Sequence, residues 1–429
     1  MNSKSKVVSE PKIAPQKSED LRTLLFKFAK AFSGDGIRLF IQLFYFYLVA
    51  NTLNIAEFGL FATASSIGIV LSRLAGFGFL SPLYRIATVK PQLLGTYTSG
   101  YLVALLTSLP LVALLALAIH KLFFADLMPL SVFALIVATE VLFWRGLEAV
   151  INVTKGLERF GTASVIIVFG FSVKALCALW FSLQDEPSLS QWALIYFTGQ
   201  ALMAGIAIVF FYPRVRLRFR PKLYARRIPD ALSVSGAEML FYIQSELDKL
   251  VVLVIGGSSA AGLYAIIMRL VDLTAMPVRT FSTILTQRLM RKTELMNSLK
   301  IRFGFEFGVF VISTLGIGAI ALALHLKPTL LGQNVAQVAP YMVIVLLVPA
   351  FRNLIEYQAE LLYGRGQTFH RLINYLILGL LKGALLVWLL SSFTQADQWM
   401  VWINAVFAAL YIISTLLTYR ALRKHAIRV

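Results

Sequence analysis

Apolar runs of membrane length recur along this chain from end to end, and nothing else in the sequence restricts its fold so severely. A spanning helix needs about 20 mainly apolar residues, because each residue adds 1.5 Å toward about 30 Å of hydrocarbon. Candidate spans fall at 34–53, 57–79, 94–118, 128–148, 161–183, 190–212, 232–255, 260–285, 303–326, 338–360, 371–391 and 398–419. They predict an all-α polytopic membrane protein with about twelve transmembrane helices, since only helices and closed barrels satisfy their backbones in lipid. The chain is 58% hydrophobic with a mean hydropathy of +0.76, against about 45–50% apolar for a soluble domain. Residues 21–33, with Arg22, Lys27 and Lys30 among apolar positions, read as an amphipathic helix on the interface.

The formal net charge of +19 raises a nucleic-acid partner and then dismisses it. The basic residues collect in alternate loops: Arg85 and Lys90, Lys155 and Arg159, the run from Arg214 to Arg227, Arg288 to Lys300, Arg365 and Arg371. The intervening loops hold only Lys121 and Lys327. Positive-inside bias then places both termini and the basic loop in the cytoplasm of a bacterial inner membrane. The tail 1–20, polar and lysine-rich, reads as disordered, and no cleavable signal is expected in it. The same reading divides the chain into a first bundle at 21–212, a basic linker at 213–230, a second bundle at 231–420 and a basic tail at 421–429. The linker is expected to anchor on anionic lipid headgroups. Cys177, the single cysteine, lies in an apolar run and reads as a small buried hydrophobe.

The two bundles look alike. Ile41-Gln42 matches Ile243-Gln244, Gly59-Leu60-Phe61-Ala62 matches Gly262-Leu263-Tyr264-Ala265, Phe143-Trp144-Arg145 loosely matches Phe351-Arg352, and Lys174 with Trp180 matches Lys382 with Trp388. The offset stays near about two hundred residues, so the matches are in step and predict a duplicated six-helix unit. Six is even, so the halves share one topology and are related by an axis along the membrane normal.

Charges inside spans are costly and mark cavities or partners. The first span carries Asp35, Arg38, Gln42 and Tyr45 on one helical face; the seventh carries Glu238, Tyr242, Ser245 and Lys249, with Glu246 and Asp248 beside them. Arg73, Arg269, Asp272, Arg279, Arg352, Glu356 and Glu360 complete the set. If both bundles turn these faces inward, they enclose a wet, cation-lined chamber with some carboxylates, suited to a phosphate. Arg73 and Lys249 have no opposite charge on their own face and are the stronger ligand candidates; Arg269, Arg38 and Arg352 join them. Asp35, Glu238, Glu246, Asp272 and Glu356 are candidates for coupling to H+ or Na+. Arg269 with Asp272, and Arg352 with Glu356, are within one turn and also read as self-neutralising pairs. Arg145, Glu148, Arg279 and Glu360 read as boundary residues reaching headgroups, and Lys174 and Lys382 as packing between helix ends. No catalytic set, Walker loop or metal-ligand cluster stands out, so no enzyme, cofactor or metal is expected.

The turn Glu57-Phe58-Gly59-Leu60-Phe61-Ala62 and the stretch Gln244-Ser245-Glu246-Leu247-Asp248-Lys249, followed by Ala261 to Ala265 and Arg269, resemble the polysaccharide transport proteins. These are flippases for lipid-linked oligosaccharides in the multidrug/oligosaccharidyl-lipid/polysaccharide exporter superfamily. The resemblance implies a V-shaped pair of bundles around a central cavity. It implies an undecaprenyl-pyrophosphate-linked glycan as cargo, moved between leaflets for exopolysaccharide, capsule or O-antigen synthesis, with a polymerase and chain-length regulators as partners. A drug/cation antiporter of the same superfamily, and a membrane glycan polymerase or ligase, are the alternatives.

Overall fold

A computed structural model of the protein describes the backbone of residues 21–291 and 299–423 and the side chains of residues 36–279, 300 and 302–423. The expected tail 1–20, most of the tail 421–429 and the side chain of Asp35 lie outside the described residues. Among the described residues all regular structure is helical. The chain is a multi-pass membrane protein: nine of the described helices are long and apolar enough by themselves to cross a bilayer. Large apolar side chains such as Leu106, Leu114, Phe210, Leu315 and Leu416 point outward, each more than 60% exposed. Lipid tails, not water, are the solvent that tolerates such a surface.

The first bundle comprises α1 (Leu21–Thr52), α2 (Ile55–Leu74) continued by α3 (Leu80–Val89), α4 (Leu94–Phe123), α5 (Leu130–Ala138) continued by α6 (Arg145–Gly156), α7 (Phe160–Ser182) and α8 (Leu189–Ile206). The second comprises α9 (Pro221–Glu246), α10 (Asp248–Arg291), α11 (Leu299–Leu326), α12 (Val348–Gly364), α13 (Thr368–Ser392) and α14 (Ala396–Arg423). Gly257, at φ 82°, breaks α10, so its first turns finish the seventh crossing and the remainder forms the eighth. This is left-handed backbone that glycine adopts without a Cβ penalty. The expected interfacial helix at 21–33 is continuous with the first crossing. The basic segment is without regular structure only over 213–220; helix resumes at Pro221, whose fixed φ suits a first helical position.

Local chemistry sets several ends. Asn54 caps α2: its side chain accepts from the Glu57 amide at 2.9 Å, and Glu57 reaches back to the Asn54 amide at 3.4 Å. That reciprocal box satisfies two orphan donors and accounts for the Glu57 motif. At the other end of α2, Gly76 and Gly78 take φ of 76° and 71°, and the freed Gly76 amide donates to Ser108 Oγ at 2.8 Å. The fourth crossing widens into a π-type turn at Thr139–Trp144, a feature that recurs at functional sites because it re-aims side chains.

The repeated glycines have a shared physical cause. A Cβ on Gly59 would collide with the Ser258 carbonyl and the Gly262 amide, and one on Gly262 would collide with the Ile55 carbonyl. The duplicated Gly-Leu-aromatic-Ala motif is therefore the point where α2 and α10 cross backbone to backbone. The crossing lies at the end of the molecule opposite the basic loops. Asn334 strengthens it, donating from its side chain to the Ala50 and Leu53 carbonyls at 2.6 Å each, while Asn51 donates to the Leu331 carbonyl at 2.8 Å. This end is sealed. Gly262→Val should force the crossing apart, because overpacked contacts cost about 1–3 kcal/mol unless helices move. We expect a membrane-impermeant maleimide added at that end to label Val49→Cys in a Cys177→Ala background only when Gly262→Val is also present.

Candidate functional site

A cavity of about 280 Å³ lies between the bundles, behind the seal. Its walls come from α1, α2, the π-type turn, α7 and α8 on one side and from α9 and α10 on the other. Charged lining residues are Lys174, Lys249 and Arg269 against Glu140, Glu246 and Asp272. The chamber is thus charge-balanced, which corrects the expectation of a cation-lined one. The reason is pairing between helices, which a reading confined to one helical face cannot see.

Each partnership is specific. Lys249 Nζ meets Glu246 Oε2 at 2.5 Å and Ser66 Oγ at 3.0 Å, and Ser66 also donates to Glu246 at 2.9 Å, so this pair bridges the bundles. Lys174 Nζ donates to Tyr196 Oη at 3.0 Å and sits 4.4 Å over the Trp144 ring. Tyr196 in turn donates to Glu140 Oε1 at 2.6 Å, which also accepts from Ser65 at 2.8 Å. Asp272 is held by Arg352 at 2.8 Å. Arg269 makes no hydrogen bond or ion pair with any described residue, and it lines the cavity half-buried. Asp272 is held by Arg352 from behind the lining, so Arg269 is the lining cation without a direct ion pair among the described residues.

The remaining sequence candidates fall elsewhere. Arg73 is 3% exposed and does not line the cavity; Glu148 holds it with both oxygens at 3.1 Å, and its guanidinium covers the Tyr242 ring at 4.4 Å. Its partners come from other helices, so the absence of an opposite charge on its own face misled. Arg38 lies over the Phe171 ring at 5.0 Å. Glu356 pairs with Arg279 at 2.7 Å and Arg352 with Asp272, so the expected Arg352–Glu356 and Arg269–Asp272 pairs do not form. Arg145, expected at the headgroups, is 1% exposed and bonds Glu148 at 2.8 Å. Lys174 and Lys382 are not helix-end packing residues. Both are buried in mid-helix, and Lys382 meets Asp248 at 2.5 Å. The cavity carboxylate that the sequence reading passed over is Glu140, 3% exposed. It was detectable as a lone acid within the apolar run from Leu130 to Phe143.

No protein-family model matches the sequence, and no curated protein matches it. Solved structures do. A MOP superfamily transporter from Pyrococcus furiosus, described as having a binding pocket of reverse polarity that suggests a different function, aligns with TM-score 0.62 at 16% identity over 91% of this chain and 94% of that one. An inward-facing multidrug resistance MATE family transporter of the same superfamily aligns at 0.54 and 14% identity, over 95% and 97%. MATE in complex with MaL6 aligns at 0.52 and 12% identity, over 91% and 94%. Nearly the whole of each partner is matched, so the likeness covers both bundles and their connection, and the chain has the fold of the MOP superfamily transporters.

Proposed function

We propose that the protein is a transporter that flips a lipid-linked oligosaccharide, carried on undecaprenyl pyrophosphate, across a bacterial inner membrane for surface polysaccharide synthesis. The observation that carries the reading is Arg269, a guanidinium that lines the cavity between the two bundles and makes no hydrogen bond or ion pair with any described residue. A lone cation in a low-dielectric chamber needs an anion, and a guanidinium fork fits phosphate oxygens. Lys174 supports it from the other bundle, since Tyr196 is its single hydrogen-bond acceptor among the described residues. The cavity is smaller than a pocket for a drug-sized ligand, which runs to about 300–1,000 Å³. Cargo therefore enters only when the bundles part, with the lipid tail left in the bilayer.

In this reading the basic loops face the cytoplasm, and a polymerase and chain-length regulators take the product on the far side. Coupling to H+ or Na+ draws on the intramembrane carboxylates Glu246, Asp272, Glu356 and Glu140. The test is deletion of the gene followed by analysis of the lipid fraction: an undecaprenyl-pyrophosphate-linked oligosaccharide should accumulate on the cytoplasmic side and disappear on complementation. An unchanged lipid fraction would overturn the reading.

A second reading has its own support. Tyr45, Trp144, Phe171 and Tyr196 line the cavity beside Glu140 and Glu246, and such aromatic-acidic walls suit organic cations. Two of the three matched structures described above are MATE proteins. A drug antiporter would extrude cationic dyes from cells and would leave lipid-linked glycans unaltered.

A further inference from the structure

One cluster lies outside the cavity and joins the two bundles at its other mouth. Arg73 and Arg145 belong to the first bundle, as does Glu148 between them. Glu238 reaches in from α9 of the second. Within the first bundle the contacts are short, 3.1 Å from Arg73 and 2.8 Å from Arg145 to Glu148. Across the seam they are long, 3.9 Å from Arg73 and 3.5 Å from Arg145 to Glu238. Glu238 Oε2 is buried without a hydrogen bond, although the side chain as a whole is 42% exposed. The cross-bundle arm is the weak one.

Position gives the cluster its meaning. Ile69, Trp144 and Glu246 line the cavity. Arg73 is one turn beyond Ile69, Arg145 follows Trp144, and Glu238 is two turns before Glu246, all toward the basic-loop end. That puts the cluster about 1.5–12 Å along the helices from the cavity, Arg145 nearest and Glu238 farthest. The seam there is otherwise tight: Ser235 Oγ donates to the Arg73 carbonyl at 2.6 Å, and Gly78 packs on the Ala231 carbonyl. With the far end already sealed, this α2–α9 seam is a second closure on the route into the cavity.

Charge makes the closure conditional. Arg73, Arg145 and Glu148 sum to one positive charge, and Glu238 completes neutrality. While the seam is closed, the two guanidinium side chains are exposed by only 4% and 1%. Parting it takes Glu238 away and leaves the first bundle with one net positive charge at the rim, so the open seam favours another anion in place of Glu238. Two guanidiniums aimed at one position suit a phosphoanion, which offers several oxygens to paired forks.

We propose that Arg73 and Arg145 form a docking site for the phosphate end of the cargo, with Glu238 occupying it as an internal surrogate while the seam is closed. An arriving phosphoanion displaces Glu238 and so unlatches the α2–α9 seam. The proposal rests on the anionic-cargo reading above and adds a first station before Arg269.

The test uses the full-length protein in phosphatidylcholine nanodiscs with inorganic pyrophosphate as probe. Calorimetry should find pyrophosphate bound about tenfold more tightly by Glu238→Gln, which removes the competing charge, and the gain should persist in an Arg269→Ala background. Spin labels on Phe160→Cys and Phe369→Cys, in Cys177→Ala, report the separation of the bundles at the basic-loop end. Their distance should widen in Glu238→Gln without ligand and in the parent on adding pyrophosphate. Glu238→Asp, which restores the charge, should return both readouts toward the parent; a merely misfolded variant would not show that rescue. Wild-type affinity in Glu238→Gln overturns the proposal, and so does a gain that vanishes with Arg269→Ala, which would put the anion in the cavity. Failure of the cargo assignment looks different: no lipid-linked precursor accumulates in the deletion strain, while labels and calorimetry still respond to Glu238.

Discussion

Replacing Arg269 by alanine should reduce glycan export by about 10- to 150-fold at unchanged protein level, the loss expected when a charge-assisted hydrogen bond of about 1.5–3 kcal/mol is removed. Arg269→Glu should abolish export altogether. It would put a fourth carboxylate beside Glu140, Glu246 and Asp272, against only Lys174 and Lys249 in the lining, and so repel an anionic cargo. Arg269→Lys should retain part of the activity, since it keeps the charge and gives up the planar fork. Because Arg269 has no partner among the described residues, these substitutions break no ion pair. Export can therefore be read without a large loss of stability. The measurement is surface polysaccharide in a complemented deletion strain, with protein quantified in membranes. Equal export by wild type and Arg269→Glu would remove the chemical basis of the anionic reading.

The architecture was legible because the constraint that writes it is one-dimensional. Twenty apolar residues in a row mean a crossing wherever they stand, and Gly257 separates the seventh and eighth crossings within the gap left between 255 and 260. The internal repeat was legible for a related reason: Gly59 and Gly262 are copies because each must admit the other's helix backbone. Pairing inside the membrane is three-dimensional, and there the sequence reading failed in both directions. Arg73 looked solitary along α2 and is bound by Glu148, 75 residues away. Arg269 and Asp272 looked like a local pair, but Asp272 turns to Arg352 on another helix, and Arg269 makes no ion pair with a described residue. Spacing on a helix states which residues share a face; it is silent on what the facing helix offers.

The largest expected loss of stability lies at another of those long-range pairs. Asp248 accepts from Lys382 Nζ at 2.5 Å, from Tyr264 Oη at 2.7 Å and from the Lys249 amide at 2.9 Å, and it is 6% exposed. Asp248→Ala takes the acceptor away from all three donors. Lys382, 4% exposed, would keep only the Gln244 carbonyl at 3.2 Å and the Phe407 ring at 5.6 Å. Breaking a buried pair by deleting one partner costs about 3–5 kcal/mol, mostly the penalty of the charge left behind. Asp248→Leu combined with Lys382→Met should recover most of that loss, since replacing both members with apolar groups is often neutral. Cys177, half-buried and the single thiol, makes the measurement direct: a thiol-reactive dye reports thermal unfolding without an added label. The equivalent lysine of the first bundle sets the contrast. Lys174 touches its carboxylate only through Tyr196, and it faces the cavity. Lys174→Met should therefore cost much less stability than Asp248→Ala while impairing export. If the two substitutions had the same thermal effect, the division of the repeated lysines into a structural copy and a cavity copy would be wrong.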